Sequence, residues 1–278
     1  MFDLTVSIVR YKQSFEELKA LVDRFSGSKL KYWIYMVDNS PVPYSPELVE
    51  MFGDRFSYQF IGRNLGYGSG HNLVMKQTLD NTKYHLVINP DIIFEKNILS
   101  KIYEYMEQQD DIGLLMPKVL NEDGSLQRLC KLLPSPLDLF GRRFLSDSSW
   151  TRRRNEKYEL HNFDYASVLN TPCLSGCFMF IRISVLRKAG FFDTRYFMYL
   201  EDYDLTRRVN RFSRTVFYPE VSVIHGHKKE SFKNKKLFMI HIRSAVKYFN
   251  KWGWLFDTEK SLLNMRTLAA IDKVKQDH

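Results

Sequence analysis

Cysteine is scarce in this chain of 278 residues, which contains three: Cys130, Cys173 and Cys177. Three is too few, and an odd number, for the disulfide framework that stabilises small secreted domains. No other type of metal ligand joins these cysteines at a spacing typical of zinc sites. We therefore expect three free thiols, each buried as a small hydrophobic side chain.

Long hydrophobic runs are missing as well. The longest, such as Cys177–Ile181, fall far short of the roughly 18 apolar residues that cross a bilayer. The chain begins Met1-Phe2-Asp3-Leu4, without the basic start or small-residue cleavage site of a secretory signal. Its 44% apolar and 26% charged residues are the composition of a globular protein. We expect a cytoplasmic protein with no membrane-spanning segment.

Acidic residues are in the minority, because 32 Asp and Glu stand against 41 Lys and Arg, a net charge of +9. The excess is concentrated in residues 131–160 and 225–251. Such a basic surface attracts nucleic acid, anionic lipid or phosphorylated small molecules, or is a solvated face without a partner. Zinc-finger spacing, an RNP-like aromatic motif and a basic heptad helix are all absent from the sequence. We therefore expect no nucleic-acid partner.

Apolar stretches rich in β-branched and aromatic residues alternate with stretches of helical periodicity. The predicted strands are Leu4–Tyr11, Lys31–Asn39, Tyr58–Arg63, Tyr84–Asp91, Ile112–Leu120 and Thr215–Ile224. The predicted helices are Ser14–Phe25, opened by a capping box of Ser14 and Glu17, then Ser69–Leu79, Lys96–Gln109, Tyr203–Arg211 and Lys235–Trp252. This alternation predicts an α/β fold, with a mostly parallel central sheet flanked by helices and a C-terminal amphipathic helix.

The segment Leu132–Leu160 breaks this regular pattern. It contains Pro134, Pro136 and a basic run at Arg152–Arg154, so we predict a long loop or short amphipathic helices. A regular pattern of secondary structure returns over Ala166–Ile183. No linker composition separates independent domains, and we expect a single domain over residues 1–278.

In an open α/β sheet, ligands bind beyond the carboxyl ends of the strands, so polar residues there are the first candidates. Asp38 ends the second predicted strand and could accept hydrogen bonds from the imide of a pyrimidine base, or could belong to a turn. Asn89-Pro90-Asp91 ends the fourth, where a carboxylate could hold Mg²⁺ against a diphosphate or again form a turn. Four glycines within residues 62–70 allow close approach to a ligand, although the terminal Lys-Ser/Thr of a Walker loop is missing.

Two later motifs also carry chemistry. Asp202 could cap the helix that follows it, with Asp204 and Arg208 as a surface ion pair, or could be a general base at a cleft. His225 and His227 follow the last strand and could bind metal or phosphate, or could be polar turn residues.

In their order along the chain, these motifs resemble those of the family-2 inverting glycosyltransferases of GT-A fold, most closely the bacterial rhamnosyltransferase-like branch. The resemblance rests on seven motifs: Asp38-Asn39-Ser40, the loop from Asn64 to Asn72, Asn89-Pro90-Asp91, Leu174–Met179, Gly190–Asp193, Glu201–Leu205 and His225. It implies a nucleotide-sugar-binding half over residues 1–120, an acceptor and catalytic half over 121–230 and a helical extension over 231–278.

The resemblance also implies the reactants. The best guess for the donor is dTDP-L-rhamnose, with a UDP-sugar (galactofuranose, N-acetylglucosamine or galactose) as the alternative. The implied cofactor is a divalent cation, Mg²⁺ or Mn²⁺. The implied acceptor is a saccharide or lipid-linked saccharide in the synthesis of a bacterial surface polysaccharide such as O-antigen or capsule.

Individual roles follow from the same resemblance, residue by residue. The donor nucleotide would be bound by Val9, Tyr11, Asp38, Asn64, Gly66 and Asn89. The donor sugar and acceptor would lie against Gly176 and Glu201, and the metal would be bound by Asp91 and His225. Lys228 and Lys229 would help the metal to stabilise the charge of the leaving group. Asp202 would be the catalytic base.

The sequence departs from the wider family at three places. Arg10-Tyr11-Lys12 replaces the commoner Thr-Tyr-Asn and adds positive charge near the nucleotide. Asn89 stands where the general pattern has Asp, which leaves open whether the metal is strictly required. His71 replaces a small residue or Asn in the glycine loop and could alter how the donor fits.

Two other functions stay open. A pyrimidine nucleotidyltransferase would share the sheet and the metal, but it should carry a phosphate-binding glycine loop directly after the first strand, where this chain has Arg10–Gln13. A non-catalytic nucleotide-sugar-binding module is compatible with Asn89 at the metal motif.

Contact with the inner face of the plasma membrane is a further expectation from the sequence. The basic stretch His225–Lys251 is accompanied by aromatic residues: Tyr248, Phe249, Trp252, Trp254 and Phe256. Basic residues and interfacial aromatics together favour binding to anionic lipid. The stripe Phe238, Ile242, Ala245 and Phe249, however, has the helical spacing of core packing.

Overall fold

The computed structural model describes residues 1–141, 149–226 and 235–276. Within these ranges nine strands form one sheet. They are β1 Phe2–Arg10, β2 Tyr32–Asp38, β3 Phe56–Phe60, β4 Thr82–Ile88, β5 Ile92–Ile93, β6 Ile112–Leu120, β7 Leu169–Asn170, β8 Phe178–Arg182 and β9 Arg214–His225. The six strands predicted from the sequence are all present, with ends shifted by a few residues.

The sheet is mixed in strand direction. Its order is β3-β2-β1-β4-β8-β6-β9-β5, and β7 pairs with β9. Strands β3, β2, β1 and β4 are parallel to one another, as are β6 and β9. β8 runs antiparallel to both β4 and β6. The predicted α/β fold with a helix-flanked central sheet is therefore confirmed, with the short strands β5, β7 and β8 as antiparallel insertions.

This pairing brings the ends of several strands to one edge of the sheet. Arg10 pairs with Asp38 across β1 and β2, and β4 ends at Ile88 beside β1. Because β8 is antiparallel, its first residue, Phe178, lies opposite Ile88. The segment before β8 therefore meets the segment after β4.

Nine helices lie in the described ranges. They are α1 Phe15–Asp23, α2 Pro46–Glu50, α3 Tyr67–Thr78, α4 Ile98–Gln108, α5 Ser149–Tyr158, α6 Ile183–Ala189, α7 Glu201–Val209, α8 Lys235–Trp252 and α9 Thr258–Gln276. The capping box of α1 is confirmed, because Ser14 Oγ accepts from the Glu17 N–H and the Glu17 carboxylate accepts from the Ser14 N–H. Helices α2 and α6 were not predicted, and α9 was covered only by the helical extension over 231–278 that the resemblance implied.

The N-terminus of α7 differs from the prediction. The helix begins at Glu201 rather than Tyr203, so Asp202 lies in the first turn and is not the cap. The Asp204–Arg208 ion pair is present at 2.8 Å, but Asp204 is fully buried. Trp252 Nε1 and Lys251 of α8 also donate to Asp204. The interpretation as a surface pair is wrong, because α8 covers this side of α7.

The C-terminal helices pack onto α7 and the segment that precedes it. Ala245, Tyr248 and Phe249 of α8 are buried with Tyr196 and Leu200, so core packing is confirmed for the buried part of the predicted stripe. Between α8 and α9, Asp257 accepts two hydrogen bonds from the guanidinium of Arg207. None of the described helices is long and apolar enough to cross a membrane.

The three cysteines are free and buried, as predicted. They pack within the core as small side chains, and burial raises the pKa of the Cys177 thiol to about 12.

Candidate active site

Gly176 is the meeting point of three of the predicted motifs. Its N–H donates to Asp202 Oδ2 at 2.9 Å, and its carbonyl accepts from the Tyr67 hydroxyl at 2.6 Å. The next residue, Cys177, accepts from the Asn89 N–H at 2.9 Å. A Cβ at position 176 would lie 3.3 Å from both Asp202 Cβ and a ring carbon of Tyr67. A side chain at this position would therefore be tight against Asp202 and Tyr67, and the role of Gly176 beside the donor sugar stays a prediction.

Asp202 is a partly buried carboxylate held by backbone N–H groups. Besides Gly176, the N–H of Tyr203 donates to its Oδ1 at 2.9 Å. Loss of surrounding water raises the pKa of Asp202, and the two N–H donors counteract part of that rise. A position in the first turn of a helix also favours the anion. The result is a fixed carboxylate whose pKa is raised toward neutrality, as a general base requires.

Glu201 lies next to Asp202 in the sequence but in a different environment. Its side chain is buried, and its Oε2 has no hydrogen-bond partner among the described residues. Burial, and then the charge of Asp202, raise the pKa of Glu201 well above its usual range. Of the two adjacent carboxyl groups, Glu201 therefore holds a proton more readily than Asp202, whose carboxylate is stabilised by two N–H donors.

The backbone before α7 fixes this pair at the sheet edge. Tyr199 and Leu200 both adopt left-handed conformations, with φ of 73° and 66°. Such conformations cost on the order of 1–3 kcal/mol each for residues other than glycine and tend to occur at functional sites. Here they turn the chain so that α7 begins with its two carboxylates.

Asp91 and His225 form a second cluster. Asp91 Oδ1 lies 3.4 Å from His225 Nε2, because Ile92 of β5 pairs with His225 of β9. His225 is buried, whereas the Asp91 side chain is 43% exposed. The Asn89 amide also reaches His225 Nε2, at 3.3 Å. The structure therefore brings the predicted metal-binding residues together with Asn89.

Gln127 orients the ring of His225. The Gln127 amide nitrogen donates to the His225 carbonyl at 2.8 Å, so its oxygen faces His225 Nδ1 at 3.1 Å and must accept a proton from it. The lone pair of the ring is then on Nε2, on the side of Asp91. An imidazole held in this way is the usual arrangement of a metal-binding histidine.

The Asp91–His225 pair fits a divalent cation only as part of a coordination shell. Carboxylate oxygen and imidazole nitrogen suit Mn²⁺, and the carboxylate suits Mg²⁺. In the part of the chain that the structure describes, however, no three His, Cys, Asp or Glu side chains are grouped to hold a metal. The remaining ligands would have to come from a bound diphosphate and water, as is common for Mg²⁺.

Asp38 is fully buried at the end of β2. Its Oδ2 accepts from the guanidinium of Arg10 and from the hydroxyl of Tyr58, and its Oδ1 accepts from the Ser40 N–H at 2.9 Å. The Arg10 guanidinium also stacks on the ring of Tyr44, 3.7 Å from its centroid. Arg10, which belongs to one of the three departures from the family pattern, is thus the ion-pair partner of Asp38, the predicted base-binding carboxylate.

We expect Asp38→Ala to lower donor affinity by at least about tenfold, because it removes a charge-assisted hydrogen-bond acceptor and releases Arg10. Calorimetry should compare UDP and dTDP with ADP for this variant and for Arg10→Gln. A base-binding role predicts that Asp38→Ala loses the preference for pyrimidine nucleotides. If thermal stability falls while that preference is unchanged, Asp38 only anchors Arg10.

The glycine loop is shaped by packing within the protein. Gly66 has φ of 87°, and a Cβ there would lie 2.1 Å from the carbonyl oxygen of Phe197. A Cβ on Gly68 would meet Phe192 at 2.7 Å, and one on Gly70 would meet Val9 at the same distance. These glycines are required by packing, because α3 approaches β1 and the segment around Phe192 and Phe197 too closely for side chains. That they also admit a ligand stays a prediction.

The other predicted nucleotide-binding residues lie around this loop. Asn64 is exposed and its Oδ1 accepts from the Gly66 N–H at 2.9 Å. Tyr11 is 44% exposed, and Val9 is half-buried against Gly70. Asn39 of the first motif donates to the Gly66 carbonyl at 3.2 Å, which joins the ends of β2 and the loop.

His71 belongs to a buried chain of polar side chains beneath the loop. Ser7 Oγ lies 2.6 Å from His71 Nδ1 and 2.8 Å from His85 Nε2, and His85 Nδ1 lies 2.9 Å from Thr5 Oγ1. Burial lowers the pKa of His85 to about 3 and the pKa of His71 well below its usual range. With no exposed surface, His71 links α3 to the sheet, and any effect on donor fit would be indirect.

Both histidines are expected to make the fold less stable in acid. An unfolded histidine takes up a proton below about pH 6.5, whereas the folded ones stay neutral, so each costs about 1.4 kcal/mol of unfolding free energy between pH 7.5 and 5.5. Denaturant unfolding at these two pH values should show this loss, and His85→Gln should reduce it. The raised pKa values of Glu201 and Asp202 act in the opposite direction. An equal loss in wild type and variant would contradict this role for His85.

Some functional candidates were not found from the sequence. Tyr67 and Gln127 were not predicted, because each acts through a partner far away in the sequence, Gly176 and His225. His227, Lys228 and Lys229 lie outside the described residues.

The protein has a GT-A type fold. A mixed sheet is flanked by helices, Asp91 follows the end of β4, and α7 begins with Glu201 and Asp202. The mannosyltransferase PcManGT from Pyrobaculum calidifontis, solved with GDP-Man and Mn²⁺, has the same fold at a TM-score of 0.56 and 12% identity, covering 98% of this chain and 75% of that one. The sequence model of "Glycosyl transferase family 2" matches residues 8–190. The chain belongs to that family.

Two relatives are rhamnosyltransferases by name. The N-acetylglucosaminyl-diphospho-decaprenol L-rhamnosyltransferase of Mycobacterium tuberculosis is 28% identical over 186 residues, 61% of this chain. The match spans 58% of that relative's length, less than two thirds of it. Rhamnosyltransferase WbbL of Escherichia coli strain K12 is 25% identical over 267 residues, covering 92% of this chain and 94% of WbbL.

Proposed function

We propose that this protein is an inverting glycosyltransferase that moves a sugar from a nucleotide donor to a hydroxyl group of a saccharide acceptor. The observation that carries the proposal is the carboxylate of Asp202, held by the Gly176 N–H beside the buried side chain of Glu201. Sugar transfer from a diphosphate must stabilise the charge of the leaving group and remove a proton from the acceptor. The Asp91–His225 and Glu201–Asp202 clusters have the chemistry for these two tasks.

Asp202 is proposed to take the proton of the attacking hydroxyl. Its two backbone donors fix the carboxylate, and its raised pKa brings its basicity closer to that of a working base at neutral pH. Glu201, whose pKa burial raises and whose Oε2 has no partner among the described residues, would donate a hydrogen bond to the donor sugar or the acceptor when it is protonated. A single displacement assisted by one base inverts the anomeric centre, because no enzyme nucleophile is required.

Asp91 and His225 are proposed to hold a Mg²⁺ or Mn²⁺ ion, which would neutralise charge on the diphosphate of the donor. Asp91 would contribute its exposed carboxylate and His225 its Nε2 lone pair. That PcManGT was solved with Mn²⁺ supports a cation in this fold. Asp38, Val9, Tyr11, Asn64, Gly66 and Asn89 are proposed to bind the nucleotide.

The proposed donor is dTDP-L-rhamnose and the proposed acceptor is a lipid-linked saccharide. The names of the two relatives support rhamnosyl transfer, and that of the mycobacterial one supports an acceptor linked to a polyprenyl diphosphate. Such an acceptor would place the protein at the membrane surface, in the synthesis of a surface polysaccharide. A UDP-sugar donor remains the alternative, because base recognition at Asp38 does not separate uracil from thymine.

Mass spectrometry of products tests this proposal. The protein would be incubated with Mn²⁺, a panel of dTDP- and UDP-sugars, and short-chain polyprenyl diphosphate saccharides. We expect one donor to add a single deoxyhexose, 146 mass units as for rhamnose, to the acceptor. Donor binding without any product on the whole panel would instead favour a non-catalytic nucleotide-sugar-binding module.

A further inference from the structure

The turn between α8 and α9 presents two large apolar side chains to solvent. Leu255 is 81% exposed and Phe256 is 91% exposed, and the preceding Trp254 is 40% exposed. Side chains of this size usually lose most of their exposed surface on folding, and adjacent exposed ones often mark a contact site. The aromatic residues that the sequence associated with the membrane thus divide into two groups: Tyr248 and Phe249 are core residues, whereas Trp254 and Phe256 are at the surface.

The turn is held in a defined conformation. Gly253, with φ of 102°, ends α8, and its N–H donates to the Phe249 carbonyl at 2.8 Å. A Cβ at Gly253 would lie 2.5 Å from the Phe256 carbonyl oxygen, so only glycine allows this turn. Trp254 is anchored as well, because its ring lies 5.2 Å from that of Phe249.

On the far side of the turn, α9 starts from a fixed point. Asp257 Oδ1 accepts from the Lys260 N–H at 2.9 Å, while the same carboxylate binds the buried guanidinium of Arg207. Leu255 and Phe256 therefore project from a rigid loop whose two ends are tied to the core. Because the loop is already ordered, binding a partner does not cost the conformational entropy of ordering it.

The helix before the turn is basic. It carries five Lys or Arg and no Asp or Glu, and Lys235, Lys236, Arg243 and Lys247 are exposed. Met239, Arg243, Val246 and Asn250 recur at helical spacing and are exposed, so they share one face. Trp254 Nε1 donates to Asn250 Oδ1 at 2.8 Å, which continues that face into the turn. A basic, partly apolar helix face thus leads to an apolar tip.

We propose that Leu255 and Phe256 insert into the interfacial region of an anionic lipid bilayer, with the exposed basic face of α8 lying against the headgroups. Apolar side chains at the end of a basic helix are the pattern of an interfacial anchor, and the charges attract anionic lipid. A second copy of this chain fits less well, because two such faces would bring like charges together. This inference depends on the proposed function in one respect. The lipid-linked acceptor, which docking would bring to the active site, is part of that proposal.

Flotation on vesicles tests the proposal with the full-length protein. Vesicles of phosphatidylglycerol and phosphatidylcholine would be compared with phosphatidylcholine alone, at low and high salt. We expect wild type to float with the anionic vesicles and less so as salt rises. The double variant Leu255→Ser, Phe256→Ser should float at least tenfold less, while Met51→Ser, a matched exposed apolar residue on the N-terminal half, should float like wild type.

Two further measurements separate membrane insertion from dimerisation and from loss of the enzyme. Trp254 fluorescence should be quenched by brominated acyl chains in wild type but not in the double variant, with Trp254→Phe identifying the signal. Transfer to a water-soluble acceptor should be the same in the double variant and wild type, so failure of the anchor is distinguishable from failure of the enzyme. Equal flotation of wild type and double variant would overturn the proposal. So would a wild-type dimer that the double variant converts to a monomer without any vesicle binding.

Discussion

Replacing Asp202 with Asn is expected to lower kcat by at least about 10²-fold, because a positioned general base typically contributes a factor of 10²–10⁴. The amide keeps the shape of the side chain but cannot take a proton from the acceptor. Donor affinity should change little, since the change affects the chemical step. Steady-state kinetics at saturating donor, together with calorimetry of donor binding, would measure both quantities.

Glu201→Gln is the matched control for Asp202→Asn. Glu201 is expected to be neutral in the folded protein, because burial and the adjacent charge of Asp202 raise its pKa. Glutamine imitates a neutral carboxylic acid, so this variant should keep kcat within about tenfold of wild type, far from the loss expected for a missing base. If Glu201→Gln is as damaging as Asp202→Asn, or if Asp202→Asn turns over normally, the assignment of the base is wrong.

Asp91→Ala is expected to abolish the dependence of donor binding on Mn²⁺ and to lower kcat by on the order of 10³-fold, since cation stabilisation of a leaving group contributes several kcal/mol. Titration of Mn²⁺ in the presence of a nucleoside diphosphate would give the metal affinity directly. The exposed carboxylate of Asp54 provides the control, and Asp54→Ala should behave as wild type. If donor binding still depends on Mn²⁺ in Asp91→Ala, Asp91 does not bind the metal and is only a turn residue.

Gln127→Ala should give an intermediate result in the same titration. It removes the acceptor of the His225 Nδ1 proton without touching the diphosphate. Loss of such an orienting partner typically weakens metal binding by 10–100-fold. Gln127→Glu keeps an acceptor there and should recover part of the affinity, which a general packing defect would not allow.

Candidate residues for the site could be selected from the sequence because strand ends are local features. Asp38, Asn89 and Asp91 each follow an apolar strand, and parallel pairing carries such residues to the same edge of the sheet. The order of the motifs added Asp202 and His225 as candidates through the family resemblance. The environment of these two residues could not be predicted, because it comes from distant parts of the chain. Gly176 donates a hydrogen bond to Asp202, and β5 pairs with β9 at His225.

The parts that could not be predicted depend on packing. Nothing in the sequence near Asp38 indicated that Arg10 would occupy its carboxylate, since that pair forms only when β1 and β2 align. The glycine loop was interpreted from ligand chemistry alone, whereas Phe192 and Phe197 also require glycine there. Asp204 was expected on the surface because the residues of α8 that cover it, Lys251 and Trp252, lie far along the chain.

The central claim is that Asp202 catalyses one inverting transfer from a nucleotide sugar to a saccharide acceptor. The most direct test is NMR of the purified product, giving its anomeric configuration relative to that of the donor, with released nucleoside diphosphate counted in the same reaction. The account predicts inversion, one nucleoside diphosphate for each glycoside formed, and formation of both products at least about 10²-fold more slowly with Asp202→Asn. Retention of configuration, or full activity of that variant, would contradict it.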